Sequence, residues 1–142
     1  LQPARIDAAV EARITAAVAL APLHNPPGLA VLRELRARFA ALPQVASFDT
    51  AFHASMPEAA RRYALPDELV ARHGLRRFGF HGVNHANVMR RSAAALAIDV
   101  GALRLVSCHL GAGGSVAAIA GGHGVDTSMG FTPLEGLVMG TR

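Results

Sequence analysis

The sequence predicts an α/β domain with a mixed sheet flanked by helices, and three observations carry that prediction. In the N-terminal part, apolar residues recur four apart, the spacing of amphipathic helices. Short runs rich in strand formers interrupt the helical spacing, the alternation that layered α/β domains show. Further on, the apolar runs 103–110 and 115–120 lie too close together for a crossover, so they predict an antiparallel hairpin.

Ile6, Val10, Ile14 and Val18 predict a helix over residues 4–19. "PLHNPPG" breaks it, because two prolines and a glycine do not continue a helix. Leu29, Leu32, Leu35 and Phe39 form a second helical stripe, ended by Pro43. "VASFDTAF" predicts a strand stopping near Asp49. Ser55-Met-Pro-Glu58 has the capping-box pattern that opens a short helix, and Pro66 opens another that Gly74 stops. "RRFGFH", residues 76–81, reads as extended. Residues 84–96 are helical again, with Asn84 as candidate cap. The hairpin follows, and Gly121-Gly122 turns the chain out of its second strand.

No repeat, low-complexity tract or linker divides the chain, so residues 1–142 read as one partial domain. Leu1 in place of an initiator Met, and the Gly-Thr-Arg142 ending, make both ends read as cuts through a longer protein. At 51% hydrophobic residues the composition supports a buried core and excludes disorder. The net charge of +4 comes entirely from arginine on the basic side, spread in pairs rather than runs. Phe and Tyr are not interleaved with Arg, so no nucleic-acid partner is expected. The Ala-rich segment from Ile6 is interrupted by Asp7, Glu11 and Arg13, so no membrane association is expected either. Cys108 is the only cysteine, which rules out an internal disulfide and suits a reducing, cytoplasmic setting.

The stretch "SCHLGAGGSVAAI", 107–119, holds the densest candidate chemistry. A phosphate-binding Walker loop needs Lys and Ser/Thr after its last glycine, and here Ser115-Val116 follow Gly114. A dinucleotide fingerprint needs Gly-x-Gly-x-x-Gly, but Val116 stands where the third glycine belongs. A plain hairpin turn and an anion-binding turn of bare backbone N–H groups both remain open. His81 and His85 are spaced as on a zinc-protease helix, but no Glu base lies between them and no third ligand is indicated. Asp49 at a strand end, Arg142 after a tight turn and His24 in a proline loop are candidates singly. Each also has an ordinary reading as a turn or surface residue. Together they bring backbone donors, an arginine, a histidine and a carboxylate, the parts phosphoryl transfer uses.

Five blocks in order, "APLHNP", "FDTAFHASMPEAARRYALP", "RRFGFHGVNH", "CHLGAGGSVAAI" and "VDTSMGFTPLEGLVMGTR", resemble the acetate kinase family from about residue 21 to Arg142. The resemblance implies part of a ribonuclease-H-like, actin-like ATPase fold. It implies transfer of a phosphoryl group from ATP to acetate, with Mg²⁺ bound by residues outside this chain, in a homodimer. Asp49, His81 and Arg142 match the family's catalytic groups. His109, Leu110, Gly111, Ala112 and Gly113 match its ATP-phosphate hairpin. Leu23, His24, Phe80 and Pro133 match residues that line the acyl site. An apolar pocket of that kind separates chain lengths by only ~1–3 kcal/mol per methylene, so propionate or butyrate kinase is the alternative activity. A truncated, non-catalytic binding module is the alternative of another class.

Two departures stand out. Many family members carry Asn where this chain has Ala112, and Gly114 is smaller than usual, which should loosen the turn. The family's Asn-x-Gly-Ser-Ser strand, its substrate-binding arginine and its second domain are absent from this chain. It corresponds to roughly the middle third of a member, expected to be inactive and poorly soluble alone.

Overall fold

A computed structural model describes residues 2–140. The chain falls into two compact units, Gln2–Ser47 and the segment from Phe48 onward.

In the first unit, strand β1 (Ala4–Arg5) pairs antiparallel with β2 (Val45–Ala46). Helix α1 spans Ala8–Ala16, shorter than the 4–19 expected. Asp7 stops it at the N-terminal side, because its extended backbone and its carboxylate, which accepts the Val10 N–H at 2.8 Å, form an N-cap. A 3-10 turn at Val18–Leu20 leads on to α2, Asn25–Arg38. The prolines that break the first helix therefore stand in the first turn of the second. Their missing N–H groups would have had no helical partner there. Leu29 and Leu32 are buried, and Glu11 bridges α1 to Arg33 (2.7 Å) and Arg36 (2.6 Å) of α2.

In the second unit, a 3-10 turn (Ala51–His53) and two short helices, α3 (Glu58–Arg61) and α4 (Asp67–His73), precede α5 (Gly82–Leu96). Strands β3 (Arg104–Leu110), β4 (Gly114–Ala120) and β5 (His123–Thr127) form an antiparallel meander. The hairpin is as predicted, with Leu110 opposite Gly114. The Gly121-Gly122 turn also forms, both residues at positive φ, and it leads into β5. That strand was not foreseen, since Gly124 and Asp126 are weak strand formers. The α/β class stands, with every strand pairing antiparallel among the described residues rather than mixed. Met89 and Ala93 of α5 pack with Leu103 and Ile119 as the core. Each large side chain there contributes about 1.5–3 kcal/mol by burial.

Three local expectations give way. The strand ends at Ala46, and the chain turns at Phe48, whose carbonyl accepts the Ala51 N–H. Ser55 makes no cap; α3 starts from an extended Pro57 instead. Asn84 is not the cap of α5 either, because that helix begins two residues earlier at Gly82.

Candidate functional site

The start of α5 organises the site. His81 is the residue before the helix and adopts the left-handed conformation, φ 58° and ψ 22°, uncommon for a side chain with a Cβ. Such a backbone costs about 1–3 kcal/mol and persists only where its surroundings hold it. Asp49 supplies the hold. Its Oδ2 accepts the His81 N–H at 2.6 Å, its Oδ1 accepts the Val83 N–H at 3.4 Å, and its carbonyl accepts the Gly82 N–H at 2.8 Å. A residue distant in sequence thus satisfies the orphan donors of the helix N-terminus. Gly82 permits this approach: a Cβ there would stand 2.3 Å from the Asp49 carbonyl oxygen.

Around this turn four imidazoles gather. The His81 and His109 rings stack with centroids 3.9 Å apart. His85 is buried and touches His53 edge-on at 5.7 Å. His53 donates from Nε2 to the Phe80 carbonyl at 3.1 Å, leaving Nδ1 buried with no hydrogen-bond partner among the described residues. The Asn84 amide donates to His109 Nδ1 at 3.0 Å. Ser115 Oγ lies 2.8 Å from His81 Nδ1 and 2.9 Å from His85 Nε2, and Ser107 Oγ lies 2.8 Å from His85 Nδ1.

Burial governs the protonation of three of these rings. Desolvation lowers the pKa of His85 to about 4, with the neighbouring histidines adding to the effect. It also lowers His53, against the opposing pull of the Phe80 carbonyl. His81 is lowered by burial and then by His109, with Asp49 opposing.

The glycine turn stands against this cluster. A Cβ on Gly113 would lie 3.1 Å from His81 Nε2, so only a bare backbone leaves the ring this room. Gly111 donates to the Gly113 carbonyl at 3.0 Å and Gly114 to the Met139 sulfur at 2.8 Å. Among the described residues, the N–H groups of Ala112 and Gly113 make no hydrogen bond. Two free backbone donors beside an imidazole fit the oxygens of a phosphate. Mg²⁺ is not provided for in the same way. It wants near-octahedral oxygen donors, both oxygens of Asp49 already accept backbone N–H groups, and the described residues contain no metal-binding group of three or more His, Cys, Asp or Glu.

Asp49, His81, His109 and Gly113 are therefore brought together, with Gly111 and Ala112 in the same turn. The exposed Leu110 closes the strand before it. Phe80 and Pro133 flank a second contact of this unit. There Phe78 and Gly79 donate to the Gly130 carbonyl, and the Phe78 and Phe131 rings lie 5.5 Å apart. Tyr63 secures that loop by accepting the Phe131 N–H and donating to Glu135, which also meets Arg77 at 3.3 Å. Leu23 and His24 belong to the first unit, exposed, in the turn before α2 and at its start. Arg142 lies outside the described residues.

The acetokinase family profile matches residues 2–142. The chain belongs to the acetokinase family. It is 56% identical over 140 residues to acetate kinase of Deinococcus deserti, covering 99% of this chain and 35% of the relative. It is 55% identical over 141 residues to acetate kinase of Pseudarthrobacter chlorophenolicus. Among solved structures, Porphyromonas gingivalis acetate kinase superposes with a TM-score of 0.95 at 42% identity, covering 99% of this chain and 35% of that one. A propionate kinase from Francisella tularensis superposes with 0.93 at 45% identity, covering 99% and 36%. The acetokinase chain thus spans about a third of the length of its curated relatives, and the actin-like ATPase fold implied by its motifs stands. Among the described residues no helix is long and apolar enough to cross a membrane.

Residue-by-residue reading missed His53, Ser107, the role of Asn84, and the Tyr63–Glu135 pair. His53 sits inside the "FDTAFH" block, but nothing in its neighbours marks it as buried. Ser107 alternates with exposed residues along β3, the only signal that it faces inward.

Proposed function

We propose that this chain is the central part of an acetate kinase, carrying most of the phosphate- and acyl-binding side of a cleft. The whole protein transfers the γ-phosphoryl group of ATP to acetate, reversibly, with Mg²⁺ ligands supplied elsewhere, as a cytoplasmic homodimer. One observation carries the reading: Asp49, His81 and His109 converge on a glycine turn with two N–H groups free among the described residues, in a chain 56% identical to an acetate kinase.

In this reading the turn from His109 to Gly113 receives ATP phosphates on bare backbone. When bound, ATP would supply the γ-phosphoryl group, with ADP as the leaving group. His81 presents a ring N–H to the oxygens on which charge develops, and Arg142 adds a guanidinium able to bind two of them. Asp49 holds the His81 backbone in place. Phe80 and Pro133 shape the acyl end.

A hydroxamate assay on the full-length protein with ATP, Mg²⁺ and acetate is expected to yield acetyl hydroxamate. The 142-residue chain alone is expected to yield none. Failure of the full-length protein with every short acyl acid would overturn the reading. The propionate kinase match supports a second reading, propionate as preferred acceptor, and a series of kcat/KM values from acetate to butyrate decides between them.

A further inference from the structure

Ser107, His85, Ser115 and His81 form one continuous hydrogen-bonded chain, with links of 2.8, 2.9 and 2.8 Å. Its first three members are essentially sealed from solvent, at 2%, 0% and 0% exposure. A hydroxyl has one proton to give, and a neutral imidazole has one N–H and one bare nitrogen. Among the described residues the Ser107 hydroxyl has a single partner, His85 Nδ1, so its buried proton is satisfied only by donating there. The choice then propagates. His85 carries its proton on Nε2 and donates to Ser115, and Ser115 donates to His81 Nδ1. His81 is left with its proton on Nε2, the nitrogen beside Gly113.

We propose that Ser115 is a positioning residue that, set by Ser107 through His85, fixes His81 as the neutral Nε2–H tautomer and so presents an N–H donor, rather than an imidazolium, to an anion at the glycine turn. The identity of that anion as a phosphoryl group rests on the function proposed above; the tautomer does not. Charging His81 would put a proton on Nδ1 that Ser115 must accept, stranding the hydroxyl proton of either Ser115 or Ser107. The titratable groups facing His81 are Asp49, His53, His85 and His109, and of these only Asp49 favours its charged form.

Long-range ¹H–¹⁵N NMR of the histidine-labelled full-length protein at pH 7 tests this. His81 is expected to show a bare Nδ1 and a protonated Nε2. Ser115→Ala is expected to give a mixture of tautomers and to raise the His81 titration midpoint, and Ser107→Ala to move both part of the way. In the full-length protein Ser115→Ala should lower kcat about tenfold with KM for acetate unchanged, and Ser115→Thr, which keeps the hydroxyl, should restore the tautomer. A parent chain with His81 protonated on Nδ1, or on both nitrogens, overturns the proposal even if no variant folds. An unchanged Ser115→Ala spectrum does so too. A protein that phosphorylates no acyl acid defeats the functional reading while the spectrum still decides the tautomer.

Discussion

Among the described residues, the unit Gln2–Ser47 buries Leu29 and Leu32 and no polar side chain, whereas the unit from Phe48 buries His53, His85, Ser107, Ser115 and Thr127 beside its apolar core. The first is tied across its helices by exposed ion pairs, Glu11 with Arg33 and Arg36. The second routes its polar contacts through the interior, where an unpaired group is costly and a paired one is held in a single geometry. A fold needs no buried histidine chain for stability, since apolar residues of similar volume would fill the space. Polar burial of this kind marks where positions of protons and dipoles matter.

The contrast yields four expectations. The largest effect should come from Asp49→Ala in the full-length protein. It removes the acceptor of the His81 N–H, so phosphoryl transfer is expected to fall roughly 10²–10³-fold in a steady-state assay. A loss below tenfold would show that His81 keeps its place without that contact.

Next is acid sensitivity confined to the second unit. His85 titrates near 4 in the folded chain and near 6.5 when unfolded, so between these values the unfolded chain holds the extra proton. Stability is therefore full above about pH 6.5 and declines as pH falls toward 4, by about 3 kcal/mol. Denaturant titrations across this range should show the decline, and His85→Gln should flatten it.

A smaller effect is expected from Gly114→Ala. A Cβ there meets Leu137 and Met139 at an ordinary 3.7 Å, and the backbone is regular strand. The variant should be more stable by about 0.4–1 kcal/mol, because the unfolded chain loses freedom. The loosening expected from this glycine would then be measurable as a rise in melting temperature. Smallest of all is Glu11→Gln in the first unit. Its partners are solvated, so the melting temperature should stay within experimental scatter. A clear drop would erase the distinction between the two units.

Much of the second unit was legible residue by residue. The 103–120 hairpin, the α4 stop at Gly74 and the Gly121-Gly122 turn follow from local rules of spacing and backbone freedom. The convergence of Asp49 with His81 was not, because a contact across 32 residues leaves no periodicity to read. Only the family's motif order pointed to it. Helix α5 was misplaced for the same reason. Asn84 looks like a cap locally, but Asp49 caps the helix from outside and frees Asn84 to meet His109.

By itself, then, the sequence determined the α/β class, the hairpin with its bare glycine turn, and through its motif blocks the acetokinase family. These rest on local preferences, or on residues kept in order along the chain. The tertiary structure alone decided that His81 sits in a left-handed turn held by Asp49, and that two buried serines and His85 direct its ring. Proton placement depends on which groups meet after packing, and packing is a property of the whole chain rather than of any stretch of it.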